Sequence, residues 1–308
     1  MENEDDMLIE SFIYRLMRIT IGMMSYIPFR VAQEFGKMTG LLAYLIPNYR
    51  KTVAYENMRA SFGADLIESD VRKLLRKMYM HFGQMLFEVP HVLRLDSRNF
   101  NRYMTIQGEE NLRRARKRGK GVLFLTAHLG NWELMSAVGS LYFGNTTLVP
   151  RRSDSAAVDR VINELRTRFG AEIILAQGAM RSLIKALKRN MMLGIFLDQN
   201  VDWYEGVFIP FLGRWACTNK GLALIARKTG APVVPVFTVR ERNGRHRMIF
   251  EKEIELRKTK DKIRDVEDNT AVFTKVIERY VRKHPDQWLW FHRRWKTKNS
   301  WPWPQLTK

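Results

Sequence analysis

Hydrophobic positions along this chain change their spacing near residue 100. Residues 12–46, FIYRLMRITIGMMSYIPFRVAQEFGKMTGLLAYLI, are dense in Met, Ile, Leu and aromatic side chains. Arg15, Arg18, Arg30, Glu34 and Lys37 interrupt them before any apolar run reaches the about 20 residues a spanning helix needs. Arginines beside an apolar face, with Pro28 breaking one helix from the next, predict interfacial helices lying against a membrane surface; two ordinary core helices are the plainer alternative. From 48 to about 98 the period stays helical, with Val71, Leu74, Leu75, Met78, Phe82, Met85 and Leu86 on one face, Ser69 available as a cap and Pro90 as a stop. His81 and His91 fall here with no metal-ligand neighbour at a useful spacing and read as structural or surface residues.

Beyond residue 100, GVLFLTA, TTLVP, MLGIFL and PVVPVFTV are apolar runs of strand length. Between them, DRVINELRTRFG, AMRSLIKALKRN and TNKGLALIARKTG are amphipathic at helical spacing and closed by Gly or Asn. Strands alternating with helices predict an α/β fold, a sheet flanked by helices. Asn243-Gly244 predicts a hairpin, and VFTKVIERYVRKH a last amphipathic helix. The expected organisation is a helical region over 1–98 and an α/β domain over 99–308, packed as one unit.

Composition adds two constraints. The single cysteine, Cys217, excludes an internal disulfide framework. The formal charge of +20 predicts an anionic partner without choosing among nucleic acid, an acidic protein, a phosphorylated substrate and a membrane surface. The acidic opening MENEDDM does not read as a secretory signal.

Candidate chemistry centres on LFLTAHLGNWELMS, residues 123–136, where a buried-strand pattern ends at His128 and Glu133 follows. Within one regular helix, five residues at about 100° each would set the two side chains about 140° apart. They meet only if Gly130 turns the chain, Asn131 caps the next helix and Glu133 falls in its first turn. A carboxylate on one imidazole nitrogen fixes the tautomer and makes the other nitrogen a better base. The chain has no G-x-S-x-G elbow, no H-E-x-x-H or paired Cys/His metal spacing, and no P-loop, and Cys217 has no histidine nearby in sequence. A base acting on a substrate hydroxyl remains, and a lone His-x4-Glu is weak evidence for it.

Longer stretches strengthen that reading. PFRVAQEFGKMTGLLAYLIPNYRKTVAYENMRASF, AHLGNWE, PRRSDSAAVDRVINELRTRFG, GIFLDQN, GVFIPFLGRWACTNKGLALIARKTGAPVVPVF and HPDQWLWFHRRWK occur in this order along nearly the whole chain. In these segments the chain resembles the bacterial lipid A biosynthesis acyltransferases, within a wider H-x4-D/E group that includes the glycerol-3-phosphate acyltransferases. The resemblance implies the mixed sheet of that group. It also implies transfer of a fatty acyl chain from acyl carrier protein to a hydroxyl of a lipid A precursor, at the cytoplasmic face of the inner membrane, with no cofactor or metal. It assigns His128 as general base and Glu133 as its partner. Arg151, with Arg152 as the neighbouring alternative, would bind phosphate or offset developing charge, and Asp198 and Gln199 would line the site. Phe211, Gly213 and Arg214 of PFLGR would contact substrate, Leu212 standing where a second Phe is usual. Arg166 and Arg168 also match family positions, Arg168 reading first as an ordinary helix face.

Three readings stay open beside this one. The phosphatidylinositol mannoside acyltransferases share the core motifs but use acyl-CoA and a mannose hydroxyl. NLRRARKRGKG is either a solvated helix face or a docking surface for the acidic carrier protein. Five of the eight tryptophans lie between Trp288 and Trp303 among His292, Arg293, Arg294, Lys296 and Lys298, a mixture suited to a membrane interface or to stacking bases. A nucleic-acid-binding protein would leave the His-x4-Glu turn without a purpose, and no motif of the common nucleic-acid folds appears, so nucleic acid is not an expected partner.

Overall fold

Strand β2 (Val122–Thr126) shows why the chain after residue 100 folds as it does. Its side chains alternate between two apolar layers: Leu123 and Leu125 enter one, Val122 and the half-buried Phe124 the other. A strand covered on both faces reads as a continuous apolar run, which is how this one was legible. The computed structural model describes residues 4–63, 65–152 and 155–298.

Among the described residues, seven strands form one sheet in the order β1-β9-β8-β2-β5-β3-β4. These are β1 (Met104–Gln107), β2, β3 (Thr146–Leu148), β4 (Glu172–Ile173), β5 (Met192–Phe196), β8 (Val233–Arg240) and β9 (His246–Phe250). Pairing is parallel except between β8 and β9, the hairpin expected at Asn243-Gly244. The strand β1, parallel to β9, was not anticipated. Neither was a separate two-stranded antiparallel unit of β6 (Gly206–Phe211) and β7 (Arg214–Asn219).

Helices cover both faces. Helices α5 (Glu109–Arg116) and α6 (Trp132–Phe143) place Leu112, Leu134 and Val138 in the layer with Val122 and Met248. Helices α8 (Met180–Lys188), α9 (Gly221–Thr229) and α10 (Lys262–Lys283) bury Leu187, Leu222 and Phe273 in the opposite layer. Helices α3 (Tyr49–Phe62) and α4 (Glu68–Glu88) join that layer through Met58, Leu75 and Met78. Ser69 does not cap α4: the capping position is Ile67, without a side-chain hydrogen bond, and Ser69 lies inside the helix. Leu86 also departs from expectation and is exposed.

Helices α1 (Glu4–Met24) and α2 (Phe29–Leu45) are separated at Pro28. Helix α2 presses backbone to backbone on α4, since a Cβ on Gly36 would lie 2.5 Å from the carbonyl oxygen of Gly83. Helix α1 lies on α7 (Ala156–Thr167), where the Tyr14 hydroxyl donates to Glu164 at 2.5 Å. The outward positions Phe12, Leu16, Ile19, Met23, Phe35, Met38, Leu42 and Leu45 are exposed. No helix among the described residues is long and apolar enough to cross a membrane.

Candidate active site

The strands β2 and β5 pair in register, Thr126 opposite Phe196. His128 and Asp198 each follow two residues later and therefore emerge side by side at the carboxyl edge of the sheet, where open α/β sheets collect ligands. His128 Nδ1 lies 2.9 Å from Asp198 Oδ1, and the His128 backbone N–H donates to Asp198 Oδ2 at 2.9 Å. The indole N–H of Trp288 donates to the same Oδ2 at 2.8 Å. Burial alone would raise the Asp198 pKa, but the His128 ring, its backbone amide and the Trp288 indole together hold the carboxyl below its usual range. An ionised carboxylate can only accept, so Nδ1 carries the imidazole proton and Nε2 is left as the basic nitrogen. The ring is held between Trp132, at 5.1 Å, and Phe196, at 4.5 Å.

The turn after His128 forms as the local sequence predicts. Gly130 has φ 62°, and a Cβ there would lie 2.2 Å from the Thr238 carbonyl oxygen. The Asn131 side chain accepts from Leu134 N–H and caps α6, and Glu133 falls in the first turn. The expected His128–Glu133 hydrogen bond, however, is not formed. Both Glu133 oxygens are taken by the Arg166 guanidinium, Nε to Oε2 at 2.9 Å and Nη2 to Oε1 at 2.5 Å. The first turn of α6 points Glu133 at α7, and a fork of two parallel N–H donors satisfies it there. Asp198 occupies the place on the ring that Glu133 was expected to fill.

A cavity of about 560 Å³ opens beside these groups. His128, Glu133, Arg151, Arg166 and Gln199 line its polar part, and Leu183, Leu197, Leu222 and Ile225 its apolar part. The arrangement places a base and two guanidiniums at one end of an apolar slot. Among the described residues, no group of three or more His, Cys, Asp and Glu side chains is placed to hold a metal ion.

Other expected site residues lie elsewhere. Arg152 is exposed and does not line the cavity. Phe211 is 1% exposed, packed on Trp288 and Trp295, and so belongs to the core rather than to a substrate surface. Gly213 is at the β6–β7 turn with φ 77°, and Arg214 stacks its guanidinium 4.4 Å from the centre of the Trp295 ring. The PFLGR segment thus builds a hairpin whose far end, Asn219, reaches the cavity. Arg168 donates to the Leu93 carbonyl on the surface.

The carboxyl-terminal segment carries functions its composition concealed. Leu289 N–H donates to the His128 carbonyl at 3.1 Å and Gly130 N–H to the Gln287 carbonyl at 2.9 Å, so the segment straps the turn after His128. Trp288 and Trp290 are fully buried, as is Arg294, which donates to the carbonyls of Gln199 and Cys217 and to the Thr218 hydroxyl. Burial pushes the Arg294 guanidinium down to about 10, the Cys217 thiol up to about 11 and the His292 imidazole down to about 4. Trp288, Trp290 and Arg294 are internal and offer no surface to bases or lipid, whereas Arg293, Lys296 and Lys298 are exposed; Trp301 and Trp303 lie outside the described residues.

The chain is 26% identical to the lipid A biosynthesis lauroyltransferase of Escherichia coli (strain K12) over 276 residues, covering 88% of this chain and 87% of that one. It is 24% identical to the lipid A biosynthesis palmitoleoyltransferase of the same organism, with the same two coverages. The crystal structure of the 1-acyl-sn-glycerophosphate (LPA) acyltransferase, PlsC, from Thermotoga maritima aligns at 14% identity and a TM-score of 0.38, over 76% of this chain and 97% of that one. The profile of the bacterial lipid A biosynthesis acyltransferases matches residues 6–297, and the chain belongs to that family of acyltransferases.

Proposed function

We propose that this acyltransferase moves a fatty acyl chain from acyl carrier protein to a hydroxyl of a lipid A precursor. The observation that carries the reading is the bond from His128 Nδ1 to the buried Asp198, which leaves Nε2 basic at a cavity also lined by Arg151 and Arg166. In the proposed reaction Nε2 removes the proton from the acceptor hydroxyl as its oxygen attacks the thioester carbonyl. Arg151 offsets the negative charge on the tetrahedral oxygen or holds an acceptor phosphate. The C–S bond then breaks, and the departing thiolate takes the proton back from the imidazolium. The thioester is already activated, so no acyl-enzyme is needed. Glu133 acts by holding Arg166 rather than by orienting His128.

The helical region up to residue 98 is the membrane-facing part in this proposal, and the chain from 99 onward the catalytic part. The exposed apolar rows of α1 and α2 lie in the cytoplasmic leaflet of the inner membrane, and the charge of +20 favours anionic headgroups and an acidic carrier protein. A transfer assay tests the reading, pairing acyl carrier protein and acyl-CoA donors with a lipid A precursor or a mannosylated phosphoinositide. Transfer from the carrier protein to the lipid A precursor, lost in His128→Ala, is expected. Transfer only from acyl-CoA to the mannolipid would keep the chemistry and replace both substrates.

A further inference from the structure

Bonded to the turn after His128 but outside the cavity lining lies a fully buried carboxylate that the proposed reaction does not use. Glu88, the last residue of α4, is 0% exposed and is bound from four directions. Gln33 of α2 donates to Oε1 at 2.6 Å. Arg240 of β8 grips both oxygens, its Nη2 lying 3.0 Å from Oε2. His246 of β9 has Nε2 at 3.0 Å from Oε2, and Asn131 donates from Nδ2 to the same oxygen at 2.9 Å. Arg240 also donates from Nε to His81 at 3.3 Å, and its backbone exchanges two hydrogen bonds with the Gln287 amide, in the segment that straps the turn.

Stability alone is a poor reason for such a cluster, because apolar packing of similar volume serves a fold about as well as a buried ion pair. Apolar packing cannot, however, orient an amide. The Asn131 side chain uses both its ends: Oδ1 accepts from the α6 amide of Leu134 at 2.9 Å, and Nδ2 donates to Glu88. A carboxylate accepts and never donates, so Glu88 permits one of the two orientations of that amide. Asn131 is three residues from His128 and directly follows Gly130, the left-handed residue of the turn.

We propose that Glu88 is a positioning residue for acyl transfer: through the Asn131 side chain it sets the turn that aims His128 into the cavity. The proposal rests on the acyl-transfer reading for its kinetic readout only. Helix α2, keyed to α4 at Gly36 and bonded to Glu88 through Gln33, is part of the same frame.

Glu88→Gln leaves Arg240 with a buried charge only partly answered, and such a protein can fail to fold. The decisive variant is therefore Asn131→Ser, whose hydroxyl still caps α6 but offers Glu88 no amide donor. Full-length wild type and Asn131→Ser are compared by steady-state kinetics, thermal melting and NMR of carbon-13-labelled histidine, the His128 resonance being identified by its loss in His128→Gln. We expect a melting temperature near wild type, kcat lowered about tenfold with KM within about twofold, and a displaced His128 resonance. A wild-type kcat together with an unmoved His128 resonance would overturn the proposal. If the wild type transfers no acyl group to any acceptor, the functional reading fails while the His128 resonance still decides the positioning role.

Discussion

Asp198 and His128, 70 positions apart in the chain, meet because each lies two residues beyond the end of one of two strands paired in parallel register. The carboxylate holds the imidazole proton on Nδ1, so an amide in its place should do damage out of proportion to its size. Asn is close to isosteric with Asp but can present N–H to the ring and favour the wrong tautomer. We expect Asp198→Asn to lower kcat by about a thousandfold or more, by the logic that governs acid–His–nucleophile triads. Steady-state kinetics on protein shown to be folded by circular dichroism checks this. Activity within a few-fold of wild type would show that Asp198 is not the orienting group.

Glu133 and Arg166 form a two-pronged pair at the cavity wall, with side chains 13% and 23% exposed. Their effects should therefore be strongly non-additive. Removing either leaves the other as a poorly paired charge next to the substrate, so the double variant Glu133→Gln/Arg166→Gln should be little worse than either single change. Arg166→Lys, which keeps the charge and loses the fork, should behave like a loss. A double-mutant cycle in kcat/KM gives the answer. Simple additivity would separate the two residues and return Glu133 to an independent role.

Parts of this molecule were legible before folding and parts were not, for physical reasons. The run ending at His128, the glycine turn and the Asn131 cap are local chemistry, and each is found as read. The partner of His128 was not legible from spacing, because strand register and not sequence distance decides which strand end stands beside which. Strand β1 escaped notice because its four residues, Met104–Gln107, alternate apolar and polar over too short a run to stand out from a loop. The tail misled for another reason. Arg294 looks like a surface cation until carbonyls from Gln199 and Cys217, 95 and 77 residues away, are brought around it.

The imidazole of His292, pushed down to about 4 by burial, makes stability depend on acidity. In the folded protein this ring stays neutral as the pH falls from its unfolded value of about 6.5 towards 4, whereas the unfolded chain takes up a proton. The unfolded state then binds more protons, so stability is full above about pH 6.5 and declines as the solution is acidified through that window. His81 and His246, also lowered chiefly by burial, act in the same direction. Calorimetric melting temperatures between pH 7 and 4.5 should fall, and more gently in His292→Gln than in wild type. Equal slopes in the two proteins would remove His292 from the account.

Between α6 and the sheet lies a smaller apolar space that shares Trp132, Ser136, Leu148 and Phe196 with the main cavity. Gly139 lines it, and a Cβ added there would meet nothing within 4 Å, so a larger side chain can enter without displacing backbone. If the acyl chain extends into this space, Gly139→Leu shortens the room available to it. We expect the preferred donor to become shorter by a few carbons, with little loss of turnover on that shorter donor. Mass spectrometry of the products from a mixture of carrier-protein thioesters reads the change. An unaltered product distribution would place the chain along Leu183 and Ile225 instead.

The apolar rows of α1 and α2 supply the last test. Phe12, Leu16, Ile19 and Met23 repeat at helical intervals on the exposed side of α1, while Tyr14 on the opposite side packs on α7. Burying such a row in a headgroup layer contributes roughly 25 cal/mol for each Å² of apolar surface removed from water. Charge placed in the row should therefore weaken binding to bilayers without disturbing the fold. Phe12→Glu/Ile19→Glu should lower partition onto vesicles containing anionic phospholipid by at least about tenfold, measured by co-sedimentation. The same variant should keep near-normal transfer to a precursor dispersed in detergent, because neither side chain reaches the cavity. Unchanged vesicle binding would assign membrane attachment to another face, and loss of activity in detergent would mean that α1 acts on the site itself.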